Sequence, residues 1–117
     1  MGLVVTPDIW GLRPLFDDLV AGWAREWNMA TIAVDQYAGK RPDESADVDT
    51  RFAVVAALDD ERHLNDLLAA ADVLETPIVG LMGFCMGGMY CFKSARSDRF
   101  ARIASFYGMI TLPDAWK

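Results

Sequence analysis

The sequence predicts an α/β fold in which four strands form a doubly wound, mostly parallel sheet with flanking helices. Short apolar runs alternate with amphipathic segments four times along the 117 residues. Such alternation is typical of parallel strands joined by right-handed helical crossovers. A glycine-rich turn over residues 83–88, between an apolar run and a helical segment, supports the same fold. The length allows a single domain, and the 53% hydrophobic content suits buried parallel strands.

Each element has its own local signal. The predicted strands are Leu3–Thr6, Ala30–Val34, Ile78–Gly83 and Arg102–Phe106. Helices are predicted from Pro14 to about Asn28, over 49–58, from Asp59 or Asp60 to Leu74, and over 86–95. Spacing near 3.6 residues predicts a buried face on the first helix, formed by Leu15, Phe16, Leu19, Val20, Trp23 and Trp27. A similar stripe on the third helix contains Leu64, Leu67, Leu68, Ala71 and Leu74. Right-handed crossovers and a reversal of winding beside the third strand predict the strand order 2-1-3-4.

The turn over residues 83–88, with the sequence G-F-C-M-G-G, carries the clearest functional signal. A G-x-C-x-G-G segment between strand and helix is the cysteine form of a nucleophile elbow. We expect Cys85 at the tip of a tight turn, with Gly83 and Gly87 leaving room where strand and helix nearly touch. The positive end of the following helix favours a thiolate there. The alternative is an ordinary glycine-rich turn with a buried cysteine, but the preceding strand and the third glycine favour nucleophilic catalysis.

Composition argues against several classes of function. The net charge of −6 disfavours nucleic acid and anionic membranes as partners. The longest nearly unbroken apolar run, Ile78 to Phe92, is shorter than the ~18 residues that span a bilayer. Cys85 and Cys91 lie around one turn and helix with diverging side chains, so we expect no disulfide. Without a C-x-x-C pair or a cysteine–histidine cluster, we expect no metal and no cofactor, and a reducing, cytoplasmic location fits best.

Four segments, in this order, resemble the dienelactone hydrolase family of α/β-hydrolases. They are DIWGL at 8–12, VDQYAG at 34–39, the turn at 83–88 and SFYG at 105–108. The resemblance covers nearly the whole chain and implies that Cys85 attacks the carbonyl group of a small-molecule ester or lactone. It also implies that the backbone N–H groups of Ile9 and Met86 form the oxyanion hole, as the turn geometry requires of the residue after the nucleophile.

The resemblance suggests roles for three further residues. The family often has a glutamate that governs thiol ionisation in the loop where this chain has Asp8, so gating of the thiol is one expectation. Capping of the next helix is the other expectation for Asp8. Arg51 lies roughly where the family places an arginine that binds anionic substrates, and Trp10 is a candidate to line the pocket. Otherwise Arg51 and Arg62 are expected to be solvated helix arginines.

The chain departs from the family at the catalytic triad. An acid and a histidine should follow the nucleophile, yet the residues after Cys85 include Asp98 and Asp114 and no histidine. The only histidine, His63, precedes the turn in a predicted helix, where we expect a solvated residue rather than a base. We therefore expect residues 1–117 to be a single partial domain, the middle of a hydrolase with both ends missing, and weakly active by itself.

Two other functions stay open at the level of sequence. A glutamine-amidotransferase-like domain also uses a cysteine after a strand, although it would not predict the segments at 8–12 and 35–39. A non-catalytic, truncated α/β module that only binds or dimerises is favoured by the missing histidine. The sequence leaves the substrate and the oligomeric state open.

Overall fold

A four-stranded parallel sheet organises residues 1–109, the part of the chain that the computed structural model describes. The strands are β1 Gly2–Thr6, β2 Ala30–Ala33, β3 Val79–Phe84 and β4 Phe100–Phe106, in the order β2-β1-β3-β4. The helices are α1 Pro14–Glu26, α2 Val48–Ala56, α3 Asp60–Val73 and α4 Met86–Ser94. The predicted fold class and strand order are therefore confirmed, and the predicted boundaries differ from these by about two residues at most.

The helices pack on both faces of the sheet. Helix α1 covers one face, where Leu3, Val5 and Phe16 form the buried centre. Helices α3 and α4 cover the other face around Val4 and Leu81, with α2 residues packed against the same cluster. Strand β1 lies between β2 and β3 and is buried along its whole length. Its apolar run is therefore continuous rather than alternating, as is typical of a central parallel strand.

Local sequence accounts for most helix boundaries. Pro14 occupies the first turn of α1, where the missing N–H costs nothing. Asn28, just beyond the end of α1, adopts a φ of 47°, a conformation that asparagine tolerates well. The carboxylates of Asp47 and Asp59 cap α2 and α3 by accepting backbone N–H bonds.

The predicted buried face of α1 is partly wrong. Leu15 and Trp27 are 51% and 43% exposed, whereas Phe16 is buried and Trp23 is half-buried. The helix contacts the sheet along a stripe that is narrower than its row of apolar residues. Trp27 instead stacks on Trp23 with 5.6 Å between ring centroids, and Trp23 stacks on Phe84 at 6.1 Å.

His63 is buried, so the expectation of a solvated helix residue was wrong. Helix α3 presents it to β1, where Nε2 lies 3.2 Å from Oγ1 of Thr6. Its ring meets Tyr90 of α4 edge-on, with 4.4 Å between the centroids. Burial, with a smaller effect of the neighbouring Arg62 guanidinium, lowers the pKa of His63 to about 4. The imidazole is therefore neutral in the folded protein near pH 7.

The depressed pKa of His63 predicts a loss of stability in weak acid. In the unfolded chain the imidazole of His63 is protonated below pH ~6.5, whereas in the folded protein it is protonated only below about pH 4. The free energy of unfolding therefore falls as the pH drops from ~6.5 to about 4. Between about pH 7.5 and about pH 5, urea unfolding should show a loss about 2 kcal/mol larger in the wild type than in His63→Gln. Because the chain has no other histidine, an equal loss in both proteins would contradict the assignment.

Candidate active site

One edge of the sheet gathers the four segments that the sequence analysis singled out, at 8–12, 34–39, 83–88 and 105–108. Asp8, Asp35, Cys85 and Tyr107 follow the carboxyl ends of β1, β2, β3 and β4. Because the four strands are parallel, these ends lie at the same edge, where ligands bind in open α/β sheets. Hydrogen bonds between the loop after β2 and the loop after β1 show that these segments are in contact there.

Cys85 lies between β3 and α4 in a conformation that few residues other than glycine adopt. Its φ is 55° and its ψ is −113°, a strained combination for a residue with a side chain. Its N–H donates to the carbonyl oxygen of Phe106 at 2.9 Å, and its own carbonyl accepts from the N–H of Met89 at 3.1 Å. The turn is therefore attached to both β4 and α4, with the half-buried Cys85 at its tip.

The strain is maintained by close contact between backbones. A methyl group on Gly87 would overlap the carbonyl oxygen of Thr6, and one on Gly83 would overlap the carbonyl of Gly87. A methyl group on Gly88 would lie 2.7 Å from the Cα atom of Gly108. The first turn of α4 thus rests directly on β1, on β3 and on the end of β4, an approach that only glycine permits.

Asp8 is held by Arg13 in the loop after β1. Its carboxylate oxygens accept from Nη1 and Nη2 of Arg13 at 2.6 and 3.0 Å, and one of them also accepts from the N–H of Trp10 at 3.0 Å. Arg13 itself occupies the N-cap position of α1, and no side chain caps that helix. The alternative that Asp8 caps α1 was therefore wrong, and its gating of the thiol stays a prediction.

The two residues predicted to supply oxyanion donors lie on neighbouring segments. Met86 is the first residue of α4, so its N–H has no acceptor within the helix. The carbonyl of Asp8 accepts from Nε2 of Gln36 at 2.6 Å. In a trans peptide the N–H points away from the carbonyl, so the N–H of Ile9 faces away from Gln36. Their joint role in catalysis stays a prediction.

Arg51 is buried, so the expectation of a solvated arginine was wrong. Its Nε donates to the carbonyl of Ala46 at 3.2 Å, and its Nη2 donates to those of Asp43 and Glu44 at 2.9 and 3.2 Å. Its guanidinium carbon lies 3.9 Å from the centroid of the Trp10 ring. Within residues 1–109, Arg51 forms no salt bridge with a carboxylate.

A cleft of about 210 Å³ adjoins Trp10 and Arg51. Its lining consists of Trp10, Arg13, Arg41, Pro42, Glu44 and Arg51. Of these three arginines, Arg13 is paired with Asp8 and Arg41 approaches Glu44 to 3.4 Å, whereas Arg51 has no carboxylate within salt-bridge distance in residues 1–109. The lining is therefore positive, and guanidinium groups suit the planar geometry of a carboxylate.

Sequence reasoning missed two polar residues of this site, Gln36 and Tyr37. Both are buried in the loop after β2, where they bond to the backbone of the loop after β1. Arg62 reaches the same place and is half-buried rather than solvated, because it donates to the carbonyl of Gln36 at 2.5 Å and pairs with Asp66. The signal in the sequence was a pair of residues directly after a strand, within a segment that resembles the family.

The described residues do not assemble the remaining parts of a triad beside Cys85. Asp98 lies in the turn between α4 and β4, at the opposite edge of the sheet. Asp114 lies outside the described residues. His63 faces Thr6 from α3. Within residues 1–109, no three His, Cys, Asp or Glu side chains are grouped as metal ligands would be. No helix in that part of the chain has the length and apolar character needed to cross a membrane.

Comparisons with known proteins agree with this fold. The sheet and its edge define an α/β-hydrolase type of fold, present here in part. The model of the dienelactone hydrolase family matches residues 1–116, and the chain belongs to this family.

Two curated relatives match most of this chain. A probable 2-oxo-3-(5-oxofuran-2-ylidene)propanoate lactonase of Bradyrhizobium sp is 26% identical over 114 residues, in an alignment that covers 92% of this chain and 46% of that protein. Carboxymethylenebutenolidase 2 of Cupriavidus pinatubonensis is 27% identical over 105 residues, which are 90% of this chain and 44% of that protein. The chain therefore spans less than half the length of these relatives.

The close approach of α4 to β1 makes Gly87 the most sensitive glycine of the turn. Gly87→Ala should lower the free energy of unfolding by about 2 kcal/mol or more, because the methyl group overlaps the backbone of Thr6. Gly22→Ala in α1 is the matched control, since its added methyl group meets nothing within 4 Å and alanine favours a helix by up to about 1 kcal/mol. Urea unfolding at pH ~7.5 measures both variants. Equal effects would contradict the direct backbone contact.

Proposed function

We propose that this chain is the nucleophile-bearing part of an ester or lactone hydrolase in which Cys85 attacks the substrate carbonyl. The observation that carries the proposal is the strained conformation of Cys85 at the tip of a strand-to-helix turn. Membership of the dienelactone hydrolase family favours this reading over a glutamine-amidotransferase-like domain. The names of the two relatives, a lactonase and a butenolidase, support a lactone as the substrate class. Both cysteines are free, which agrees with a reducing, cytoplasmic setting.

The proposed chemistry begins with acyl transfer to sulfur. The Cys85 thiolate forms a bond to the carbonyl carbon, and the carbonyl oxygen becomes an oxyanion that accepts from the N–H groups of Ile9 and Met86. Collapse of this intermediate breaks the carbon–oxygen bond of the ester, leaving a thioester on Cys85 and an alkoxide that takes up a proton. Asp8 is a candidate to control the thiol. Arg13 binds both oxygens of Asp8, so any bond to the thiol would use the remaining lone pairs of these oxygens or follow a shift of Arg13.

The substrate is proposed to carry a carboxylate beside its ester or lactone group. The cleft beside Trp10 is lined by Arg13, Arg41 and Arg51, and Arg51 has no carboxylate partner among the described residues. The Nη1 group of Arg51 also forms no hydrogen bond within residues 1–109. A volume of about 210 Å³ suits a small molecule.

Hydrolysis of the thioester needs a general base, and within residues 1–109 the chain offers no histidine suited to that role. Its only histidine is buried with Nε2 against Thr6, and burial lowers the pKa of that histidine to about 4. General acid–base catalysis contributes roughly 10²–10⁴ in rate. We therefore propose that the 117-residue chain by itself acylates at Cys85 but does not turn over.

Activated esters test this proposal directly. The chain should release p-nitrophenolate from p-nitrophenyl acetate slowly and to about one equivalent, and Cys85→Ala should abolish the release. Peptide mapping should find the acetyl group on Cys85 rather than on Cys91, because burial raises the pKa of Cys91 to about 12. His63→Gln should leave the release unchanged. Steady turnover in the wild type would contradict the missing base, and absence of any acylation would favour the non-catalytic module.

The positive cleft predicts a preference for anionic esters. Mono-p-nitrophenyl succinate should acylate Cys85 about 3- to 10-fold faster than p-nitrophenyl acetate, with a preference that weakens at high salt. Arg41→Gln should reduce this ratio, since it removes a charge from the cleft without disturbing the buried Arg51. Arg25→Gln is the control, because Arg25 lies in the last turn of α1, away from the site. Equal ratios in all three proteins would contradict the anionic subsite.

A further inference from the structure

An oxyanion hole requires two N–H groups to point at one oxygen, and here the two donors belong to separate segments. Ile9 lies in the loop after β1, whereas Met86 begins α4. Useful donors must lie 2.7–3.1 Å from the oxyanion, so an error of 1 Å in either segment would remove most of the effect. Some structure must therefore set the position of the loop relative to the helix.

Gln36 and Tyr37 contact both segments. The hydroxyl of Tyr37 donates to the carbonyl of Ile9 at 2.6 Å and lies 3.7 Å from the sulfur of Met86. Nε2 of Gln36 donates to the carbonyl of Asp8 at 2.6 Å and lies 3.8 Å from the same sulfur. Both side chains are buried, so these bonds do not compete with water. We call these two residues the Gln36–Tyr37 clamp.

The clamp fixes the direction of the Ile9 N–H group. The carbonyls of two successive peptides, those of Asp8 and Ile9, are both held by hydrogen bonds to the clamp. Holding both peptide planes leaves Ile9 little freedom in φ and ψ. The Ile9 N–H then points away from Gln36, since it lies opposite the Asp8 carbonyl in a trans peptide.

The clamp is itself anchored to rigid elements. The carboxylate of Asp35 accepts from the N–H groups of Tyr37 and Gly39 at 2.9 and 2.6 Å, which closes a tight turn after β2. Arg62 of α3 donates to the carbonyl of Gln36 at 2.5 Å. Burial is the main cause that raises the pKa of Tyr37 to about 12, so its hydroxyl keeps its proton and stays a donor near pH 7.

We propose that Gln36 and Tyr37 are positioning residues. They hold the Ile9 N–H so that it points at the same oxygen as the N–H of Met86, and both can then bind the oxyanion formed at Cys85. This proposal rests on the function proposed above. It assigns no contact between the clamp and the substrate. The clamp acts through the loop after β1, and its loss should slow only reactions that build an oxyanion.

Two reagents separate this role from a general effect on the thiol. Acylation of Cys85 by p-nitrophenyl acetate builds an oxyanion, whereas alkylation by iodoacetamide displaces iodide at a saturated carbon and builds none. Loss of one oxyanion donor costs roughly 10²–10³ in rate, and misplacement is a partial loss. In Tyr37→Phe we expect acylation to fall about tenfold or more, while alkylation stays within about twofold of the wild type.

Further variants keep the test decisive. Gln36→Met removes the donor to Asp8 at similar volume and should lower the ratio of acylation to alkylation in the same direction. Tyr90→Phe is the control, because Tyr90 is as buried as Tyr37 but packs against His63. It should leave the ratio unchanged. Folding of each variant is verified by its urea unfolding curve.

The outcomes distinguish the two proposals. A wild-type chain that acylates at Cys85, with unchanged ratios in Tyr37→Phe and Gln36→Met, would overturn the clamp alone. Equal losses of acylation and alkylation would also overturn it, since they would indicate an effect on the thiol or the fold. A wild-type chain that releases no p-nitrophenolate, or the same amount in Cys85→Ala, would overturn the proposed function and the clamp with it.

Discussion

The direct contact of α4 with the backbone of β1 and β3 is the constraint on which the site depends. Gly83 and Gly87 have no side chains, so Gly87 of α4 lies directly against the carbonyl group of Thr6 in β1, and the carbonyl group of Gly87 lies directly against Gly83 in β3. Because of this contact, β3 and α4 cannot be joined by a turn of ordinary backbone conformation. Cys85, which joins them, has a positive φ instead. It also brings Met86 next to the loop after β1. The strained cysteine and its neighbouring N–H groups therefore have one common cause.

A strained residue of this kind costs on the order of 1–3 kcal/mol and persists only where its surroundings leave no alternative. Here the Cys85 N–H is bonded to Phe106 on β4, and the Ser105 hydroxyl donates to the carbonyl of Gly88. The turn is thus attached to the strand beside it as well as to the helix that follows. The rigidity suits a nucleophile, because the sulfur is already positioned and little conformational entropy is lost in ordering it when the substrate binds.

Buried polar side chains, rather than regular secondary structure, hold the loops around this turn. Gln36 and Tyr37 bond to the backbone of the loop after β1, and Arg51 bonds to three carbonyls of the segment before α2. Arg51 also stacks on Trp10 and so connects these two loops. The arrangement leaves a positive cleft on a chain with a net charge of −6. The proposed preference for anionic esters depends on that local contrast.

The sequence by itself determined the elements, their order in the sheet and the turn at Cys85. Apolar periodicity, proline and glycine act over a few residues, and the handedness of crossovers then leaves few arrangements of four strands. The tight turn at Cys85 could be predicted from the spacing of the glycines for the same reason, since the contacts that these glycines permit begin within the turn itself. The burial of His63 could not be predicted, because the residues that bury it are distant in the sequence. The burial of Arg51 could not be predicted, because it depends on the conformation of an irregular loop 5–8 residues upstream. His63 is buried by β1 and α4, and Arg51 by the loop that precedes its own helix and by Trp10. The bonds from Gln36 and Tyr37 join residues 28 positions apart, so only the tertiary structure, which brings the ends of β1 and β2 together, decided them.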